Sequence, residues 1–454
     1  MTGTGAQNDE FADIPKVPIR LHRVARALAV GFVGAFGWGI RGIFGHEFGA
    51  AIPGVLIAGT LALLSGHRIF RNRLWLVAAL GGLAFSLGGA MSYGLIIGYT
   101  RHVQFATVLY GFVCLLLVGG LWGWIGGAFV GLGLARELDV VRGVVAVVSM
   151  AVAGALMYLI LVVLLDLHLS PPRSDMWAAN LGAAIAVGLL LRSWKVPAAT
   201  AGALFGAFGF GVGFVAGDFL QTLGNLTGIT YDWWKVMEQT MGFVGGAALA
   251  WGIWFASDWG PRLERQPDMD DKVFPAWGRL LAWAVIFVWI PVGLALTRFS
   301  GDALADLASR VHASNVGHFI KVRQIQAWGW VALGIVSTFR WAVRPRQLEG
   351  WGAGAFLLVF AVEMFALAVL KAGYPLAGTT TTLVLVNLLV LALVAVALIL
   401  TVKPDDRVFH LHPPALTGRF VLVLLGLSLA AVLGTAIVSV LLHSTPLPGA
   451  HLRW

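Results

Sequence analysis

Residues 377–402 read AGTTTTLVLVNLLVLALVAVALILTV and contain no charged side chain. A helix needs roughly 20 apolar residues to cross the hydrocarbon of a bilayer, so this run is long enough for one span. The whole chain has the same character, because 59% of its 454 residues are hydrophobic and 12% are charged. Soluble proteins carry about a quarter charged residues. Together with the mean hydropathy of +0.85, this composition excludes an ordinary soluble enzyme and predicts an all-α integral membrane protein.

Further apolar runs, separated by charged or glycine-rich breaks, predict a polytopic helix bundle of about 13 transmembrane helices. The predicted spans lie near 25–41, 50–66, 74–97, 104–134, 140–165, 176–192, 198–221, 236–256, 279–298, 326–342, 350–371, 377–402 and 419–442. The run 104–134 is longer than one upright span requires, so we expect it to be tilted, broken or made of two pieces.

The breaks between runs suggest four segments. We expect a cytoplasmic N-terminal segment over 1–24, a first bundle of about eight spans over 25–256, a cytoplasmic linker over 257–278, and a second bundle of about five spans over 279–454. The first fifteen residues carry acidic but no basic side chains, which is not typical of a cleavable signal peptide. The first helix is therefore expected to stay in place as an anchor.

Within the second bundle, the stretch 299–325 lies between two predicted spans and has a helical pattern. Leu304, Leu307 and Val311 repeat at helical spacing, and Ser300 or Asp302 could cap the helix. We expect an outer interfacial helix over 299–325, with a lid over a binding cavity as the alternative.

The distribution of basic residues predicts the orientation of the chain. With 13 spans, 21 of the 31 Lys and Arg residues fall on one side and nine on the other, while Arg41 lies in a span break. Lys and Arg concentrate on the cytoplasmic side of membrane proteins. This pattern predicts an N-terminus inside and a C-terminus outside, and it explains the net charge of +9 without nucleic acid.

Glycine makes up 58 of the 454 residues, about twice its average share of roughly 7%. Gly119, Gly123, Gly127 and Gly131 are spaced by four, as are Gly209, Gly213 and Gly217. Such stripes favour close helix packing, with a helix that slides during gating as the alternative.

The segment Gly34-Ala-Phe-Gly-Trp-Gly-Ile40 recurs as Gly206-Ala-Phe-Gly-Phe-Gly-Val212. Each copy is followed by glycine and an acid. In the predicted topology both copies run outward, so an internal duplication would be a parallel repeat. Similar glycine-rich composition is the alternative explanation.

The densest group of polar residues between two predicted spans is Arg41, His46 and Glu47, flanked by glycines. Ionisable side chains at membrane depth indicate a functional site by default. A structural ion pair between Arg41 and Glu47 is the alternative. The segment Gly37-Trp-Gly-Ile-Arg-Gly42 matches G-x-G-x-x-G but ends an apolar helix instead of following a strand, so it does not predict a nucleotide site.

Three other polar residues in the spans could converge on this site: Tyr93, Asp218 and Glu363. A lone carboxylate such as Glu363 costs at least about 2.5 kcal/mol to insert at the membrane centre. It is therefore paired or protonated, either as a coupling site or as a buried hydrogen-bonded group. Asn387 is interpreted as a polar contact between helices. His410 and His412 are interpreted as part of a solvated loop, and no metal or cofactor is expected.

The stretch Gly37-Trp-Gly-Ile-Arg-Gly-Ile-Phe-Gly-His-Glu-Phe-Gly49 is followed by Gly89-Ala-Met-Ser-Tyr-Gly94 and Leu121-Trp-Gly-Trp-Ile-Gly-Gly-Ala128. Over roughly the first 130 residues, the chain resembles a family of uncharacterised bacterial polytopic membrane proteins with a Gly-Trp-Gly-x-Arg-Gly…Gly-His-Glu signature. The resemblance implies a multi-pass protein of the bacterial cytoplasmic (inner) membrane. It implies no particular activity.

Many spans, short loops and scattered intramembrane acids favour a secondary, proton-coupled transporter of a small polar solute such as a sugar or organic anion. Arg41 would hold the solute, and Glu47 or Glu363 would carry the proton. The alternative is an integral-membrane transferase acting on a lipid-linked substrate, with His46 and Glu47 as acid and base. The expected partners are membrane lipid and the solute, and a homo-oligomer or a subunit of a larger complex remains open.

Overall fold

The apolar runs form helices, because inside a bilayer a helix satisfies its own backbone hydrogen bonds. The computed structural model describes residues 19–65, 73–135, 140–169, 175–255, 276–343, 351–401 and 418–453. Within these ranges the regular structure is helical and contains no strand. The linker 257–278 lies mostly, and the loop with His410 and His412 entirely, outside them.

The helices run in order as α1 (Ile19–Phe44), α2 (Phe48–Leu64), α3 (Leu74–Gly88), α4 (Gly94–Thr100), α5 (Phe105–Gly133), α6 (Val140–Tyr158), α7 (Met176–Trp194), α8 (Pro197–Leu226), α9 (Trp233–Phe255), α10 (Ala276–Ala284), α11 (Ile290–Arg298), α12 (Gly301–Arg310), α13 (Val316–Val343), α14 (Trp351–Lys371), α15 (Thr379–Thr401) and α16 (Gly418–Leu442). A π-helical segment, Leu159–Leu164, extends α6, and another, Val285–Trp289, joins α10 to α11.

In the described part of the chain, nine helical segments are long and apolar enough to cross a membrane. They lie in α1, α5, α6, α7, α8, α10 with α11, α14, α15 and α16, whereas α2 and α3 are apolar but shorter. Each predicted span overlaps a helix. The protein is thus a multi-pass helical membrane protein.

One long predicted span is a single helix, and another predicted span is broken. The run 104–134 forms the single helix α5, about 44 Å long at ~1.5 Å per residue, which exceeds a hydrocarbon core of about 30 Å. The predicted span 74–97 instead breaks between α3 and α4. At this break a side chain on Gly89 would overlap Ala50 of α2, so the glycine lets the chain leave α3 close against its neighbour.

The segment 299–325 is not one interfacial helix. Ser300 caps α12 by accepting from the Ala303 amide at 3.4 Å, as predicted, and Leu304 and Leu307 are buried beneath it. However, α12 ends at Arg310, and residues from Val316 onward already belong to the long helix α13. The helical spacing of the apolar residues gives no sign of the turn between α12 and α13. The sequence therefore predicted one helix where the structure has two.

The two predicted bundles are separate in sequence but not in space. Leu388 of α15 packs on Gly39 of α1, where a Cβ would overlap it. The ring centroids of Phe420 on α16 and Phe205 on α8 lie 5.6 Å apart. The late helices α15 and α16 therefore complete the same bundle as α1 and α8.

Glycine pairs bring the central helices into backbone contact, as the stripes predict. A Cβ on Gly123 of α5 would overlap the carbonyl oxygen of Gly206 on α8, and the Gly127–Gly202 pair repeats this contact. In the same way, a Cβ on Gly34 of α1 would overlap the carbonyl oxygen of Gly242 on α9, and a Cβ on Gly242 would overlap that of Gly34. Small residues at such crossings allow the close approach that stabilises helices in a membrane.

These contacts also fix helix direction. Along α1, Gly34 lies by Gly242 and Gly42 by Glu238, so α1 is antiparallel to α9. Along α8, Gly209 meets Ala248 and Gly217 meets Met237, so α8 is antiparallel to α9 as well. The two copies of the repeated motif therefore run in the same direction.

Equivalent positions of the two motifs touch in the bundle centre. The ring centroids of Trp38 and Phe210 lie 5.0 Å apart, and Trp38 also contacts Trp122 and Phe85 at 5.1 and 5.6 Å. All four side chains are buried. Trp38 lies about one helical turn before Arg41 in α1, and the Arg41 guanidinium lies over the ring of Trp122. The aromatic cluster therefore packs directly against Arg41.

Candidate functional site

The chain reverses between α1 and α2 in a turn that needs unusual backbone angles. Gly45 and Glu47 have φ values of 81° and 60°, in the left-handed region that glycine adopts freely and other residues adopt only at a cost. The Gly45 amide still donates to the Arg41 carbonyl at 2.7 Å. The turn thus follows directly on the last helical turn of α1, which carries Arg41.

Arg41 points into the bundle and is 2% exposed. Its Nη1 donates to the hydroxyl of Tyr93 and, at 3.1 Å, to Oε1 of Glu238. Its Nη2 lies 3.1 Å from Nδ1 of His46. The guanidinium also lies over the ring of Trp122, 5.3 Å from the centroid. Both Nη atoms of Arg41 thus have polar partners, whereas its Nε has no hydrogen-bond partner among the described residues.

Glu238 on α9 is the centre of the cluster and is 1% exposed. Its Oε1 accepts hydrogen bonds from Tyr93 at 3.0 Å and from the Trp234 indole at 3.1 Å. Its Oε2 accepts from Lys235 Nζ at 2.9 Å. Two cations and two neutral donors thus hold one buried carboxylate, which is the condition for keeping such a charge inside a protein.

The sequence did not single out Glu238, and Lys235 was counted only among the nine basic residues of the second side. The available signal was the spacing of Trp234, Lys235 and Glu238, which places all three on one face of the first turns of α9. The predicted span begins at 236, inside this turn, and no role was predicted for the acid at 238.

His46 is half-buried beside the cluster. Its Nδ1 lies 2.9 Å from the carbonyl oxygen of Gly89 and 3.1 Å from Arg41 Nη2, so its tautomer decides which contact is a hydrogen bond. Burial, followed by the charge of Arg41, lowers the pKa of His46 from its ordinary value. The surroundings of His46 therefore favour its neutral form.

Glu47 does not join the cluster. Its side chain is exposed, and its carboxylate has no ion pair among the residues described. Only its backbone carbonyl is engaged, accepting from Ser86 Oγ at 3.1 Å. The alternative of an ion pair between Arg41 and Glu47 is therefore wrong: Arg41 faces the interior from α1, while Glu47 precedes α2 with its side chain exposed.

Asp218 belongs to a second buried group at the same end of the bundle. With the Gln221 amide oriented for hydrogen bonding, its nitrogen donates to Asp218 Oδ1 at 3.2 Å and its oxygen accepts from Arg101 Nη2 at 3.2 Å. Asp218 is fully buried. Gln221 therefore links Asp218 to Arg101, and no hydrogen bond or ion pair of the described residues joins Asp218 to Arg41.

Glu363 lies apart from both groups, within α14, and is 2% exposed. Within the described ranges neither of its carboxyl oxygens has a hydrogen-bond partner. It packs on Gly334 of α13, where a Cβ would overlap the carboxyl group. Of the predicted site residues, the structure thus joins Arg41, His46 and Tyr93, and leaves Glu47, Asp218 and Glu363 elsewhere.

A cavity of about 260 Å³ adjoins the cluster. Lys235 connects the two, since its Nζ holds Glu238 and its side chain lines the cavity. The cavity is lined by Gly42, Ile43, Asp232, Lys235, Arg310, Lys371, Ala372, Thr380, Thr381, Val384 and Leu385. Asn387 lies one turn further along α15 and donates to Gln239 Oε1 at 2.9 Å, which confirms its predicted role between helices.

In the part of the chain that the structure describes, no group of three or more His, Cys, Asp or Glu residues could hold a metal ion. No family model, curated protein or solved structure matches this chain. Function must therefore be argued from the geometry of the site.

Proposed function

We propose that the chain is a secondary, proton-coupled transporter of a small polar solute. The observation that carries this proposal is the buried Arg41–Glu238 network with a cavity beside it, in a bundle of membrane-spanning helices. Charged groups inside a membrane bundle are costly and typically mark solute or ion pathways. Their cost is offset here by pairing, and the cavity gives a solute access to the Lys235 end of this network.

The proposal includes about 13 spans in a bacterial inner membrane, with the N-terminus inside and the C-terminus outside. The C-terminal end of α1, which carries Arg41, then faces outward, and so does the cavity. Glycine contacts such as Gly123–Gly206 leave smooth helix surfaces that can move against each other as access alternates.

Glu363 is the proposed proton carrier. It is buried in α14 without a hydrogen-bond partner in the described chain, whereas Glu47 is exposed and Glu238 is paired with two cations. A carboxyl group that takes up and releases a proton as its surroundings change suits coupling better than a permanently paired one.

The alternative of a transferase has less support. It needs His46 and Glu47 as a cooperating acid and base within hydrogen-bond reach of one another or of a shared substrate. His46 instead contacts Arg41 and Gly89, and the Glu47 side chain is turned to the exterior.

The test uses purified protein in proteoliposomes supplied with sugars, organic acids, amino acids and polyprenyl lipids, with and without a pH gradient. Mass spectrometry reads the lumen. We expect one solute to accumulate unchanged, and faster with the gradient. Glu363→Gln should remove uphill accumulation but keep exchange, while Glu47→Gln should resemble the wild type. A new chemical species would instead make the chain an enzyme.

A further inference from the structure

The cavity beside the cluster has a strongly positive lining. Three cations, Lys235, Arg310 and Lys371, face one carboxylate, Asp232. A cavity with an excess of one sign of charge attracts ligands of the opposite sign. The lining therefore favours an anion over a neutral sugar.

Lys371 contributes most to this preference. It is half-buried, its Nζ reaches only the Ala303 carbonyl at 3.4 Å, and no carboxylate of the described residues lies within 4.0 Å of it. Arg310 and Arg298 repel its charge, and among the described residues Asp306 attracts it. Lys235 and Arg310, by contrast, already have the partners Glu238 and Asp306. Lys371 is thus a cation that forms no ion pair with any carboxylate of the described residues.

Arg41 cannot fill the solute-binding role that its sequence suggests. Its guanidinium is committed to Tyr93, Glu238 and His46. It lies outside the cavity lining. Arg41 instead holds Glu238, which holds Lys235 at the cavity, so we treat Arg41 as a positioning residue.

The other side of the cavity provides neutral donors. Thr380 and Thr381 line it from the first turn of α15, which begins at Thr379. A helix of this length carries a partial positive charge at its N-terminus, and hydroxyl groups can donate to an oxyanion. The volume of about 260 Å³ lies below the range of about 300–1,000 Å³ typical of drug-sized ligands.

We infer that the cavity binds a small, freely diffusing oxyanion, a carboxylate or phosphate, held by Lys371, Arg310 and Lys235 with the hydroxyls of Thr380 and Thr381. This inference rests on the proposed transport function, for which it names the substrate class. Both carboxylates and phosphates accept several charge-assisted hydrogen bonds, which cations and hydroxyls in this arrangement donate.

The test measures binding, not transport. Purified protein in phosphatidylcholine nanodiscs is titrated with inorganic phosphate, with succinate and with glucose, and binding is followed by calorimetry and by the thermal unfolding midpoint. We expect one of the two anions to bind and glucose not to bind. Lys371→Gln should lower the affinity for the anion by about tenfold or more, which is the effect of losing one charged hydrogen bond. Lys321→Gln, at an exposed lysine outside the lining, should leave the affinity unchanged.

Lys371→Arg is the control for folding. It keeps the positive charge, so we expect it to retain most of the affinity for the anion. Wild-type affinity in Lys371→Gln, or equal binding of glucose, would overturn the inference. A second set of nanodiscs includes phosphatidylglycerol. If that lipid competes with the free anion, the cavity holds a lipid headgroup and a free solute is the wrong occupant.

The two proposals fail in different ways. Anion binding without uptake in proteoliposomes contradicts transport and leaves the binding site standing. Uptake of a neutral solute without anion binding contradicts the oxyanion and leaves transport standing.

Discussion

Nη1 of Arg41 lies 3.1 Å from Oε1 of Glu238, which follows 197 residues later in the chain, and both side chains are almost fully buried. The pair connects α1 to α9 at the end of the bundle that also contains the cavity. Because Lys235 and Tyr93 bind the same carboxylate, the pair is the centre of a network and not an isolated ion bridge.

Removing one member of this network should destabilise the fold more than removing both. Arg41→Met leaves Glu238 with one cation, and Glu238→Gln leaves two cations without a counter-charge, each at a cost of about 3–5 kcal/mol. The double variant should recover part of that loss. Thermal unfolding in detergent measures the coupling, with the exposed Arg340→Gln as a control within about 0.5 kcal/mol of wild type. Additive losses would show that the two side chains do not interact.

The glycine contacts predict a sharp difference between neighbouring positions on α5. Gly123→Ala would push a methyl group into the Gly206 carbonyl, so α5 and α8 must separate, at a cost of about 1–3 kcal/mol. Gly120→Ala meets nothing closer than Ala207 O at 3.7 Å, and should be neutral or stabilise by up to about 1 kcal/mol. Equal unfolding midpoints for the two variants would contradict the α5–α8 contact.

The isolated carboxyl of Glu363 should cost stability. Replacing it by methionine removes a buried polar group that has no hydrogen-bond partner among the described residues, so we expect stabilisation by about 1–3 kcal/mol together with loss of proton coupling. The exposed Asp306→Asn serves as the control in the unfolding measurement. A destabilised Glu363→Met protein would indicate that the carboxyl group has a structural partner.

Two histidines should give pH dependences of opposite sign. The lowered pKa of His46 means that the fold favours its neutral form. Its contribution to stability is therefore complete above pH ~6.5, the ordinary histidine pKa, and is lost as the pH falls below that value toward the lowered pKa. The unfolding midpoint of the wild type should drop between about pH 7 and 5, and His46→Asn should flatten this drop.

His168 provides the comparison. Hydrogen bonds to Asp166 and Asp175, at 2.8 and 2.9 Å, raise its pKa. Its contribution is complete below pH ~6.5 and is lost as the pH rises through the raised pKa. His168→Asn should therefore lower the midpoint at acidic pH and leave the acid-side drop caused by His46 in place. The same change in slope for both variants would rule out these assignments.

Much of the helical architecture could be predicted from local sequence. Apolar runs such as 377–402 are long enough to cross a bilayer, and α15 spans Thr379–Thr401. The cap at Ser300 and the role of Asn387 were also predictable, because spacing and residue type are enough to specify them. The break between α3 and α4 was not, since the close approach of Gly89 to Ala50 at this break is a contact with another helix.

The candidate site was only half predictable. Arg41 and His46 stand out in the sequence because ionisable residues are rare between apolar runs. The sequence offered Glu47, six residues away, as an alternative ion-pair partner for Arg41, because proximity along the chain was the only guide. The turn at Glu47 carries that side chain to the exterior, and its positive φ is visible only in the structure.

The sequence by itself determined that this protein lies in a lipid bilayer and where its helices lie along the chain. Crossing a bilayer requires long apolar runs, and these are local properties of the chain. The tertiary structure alone decided which charges meet. Glu238 reaches Arg41 because Gly34 and Gly242 let α1 and α9 pack in backbone contact, and Lys371 meets the same end of the bundle from α14. Pairing across such distances depends on how helices pack, and no local pattern records it.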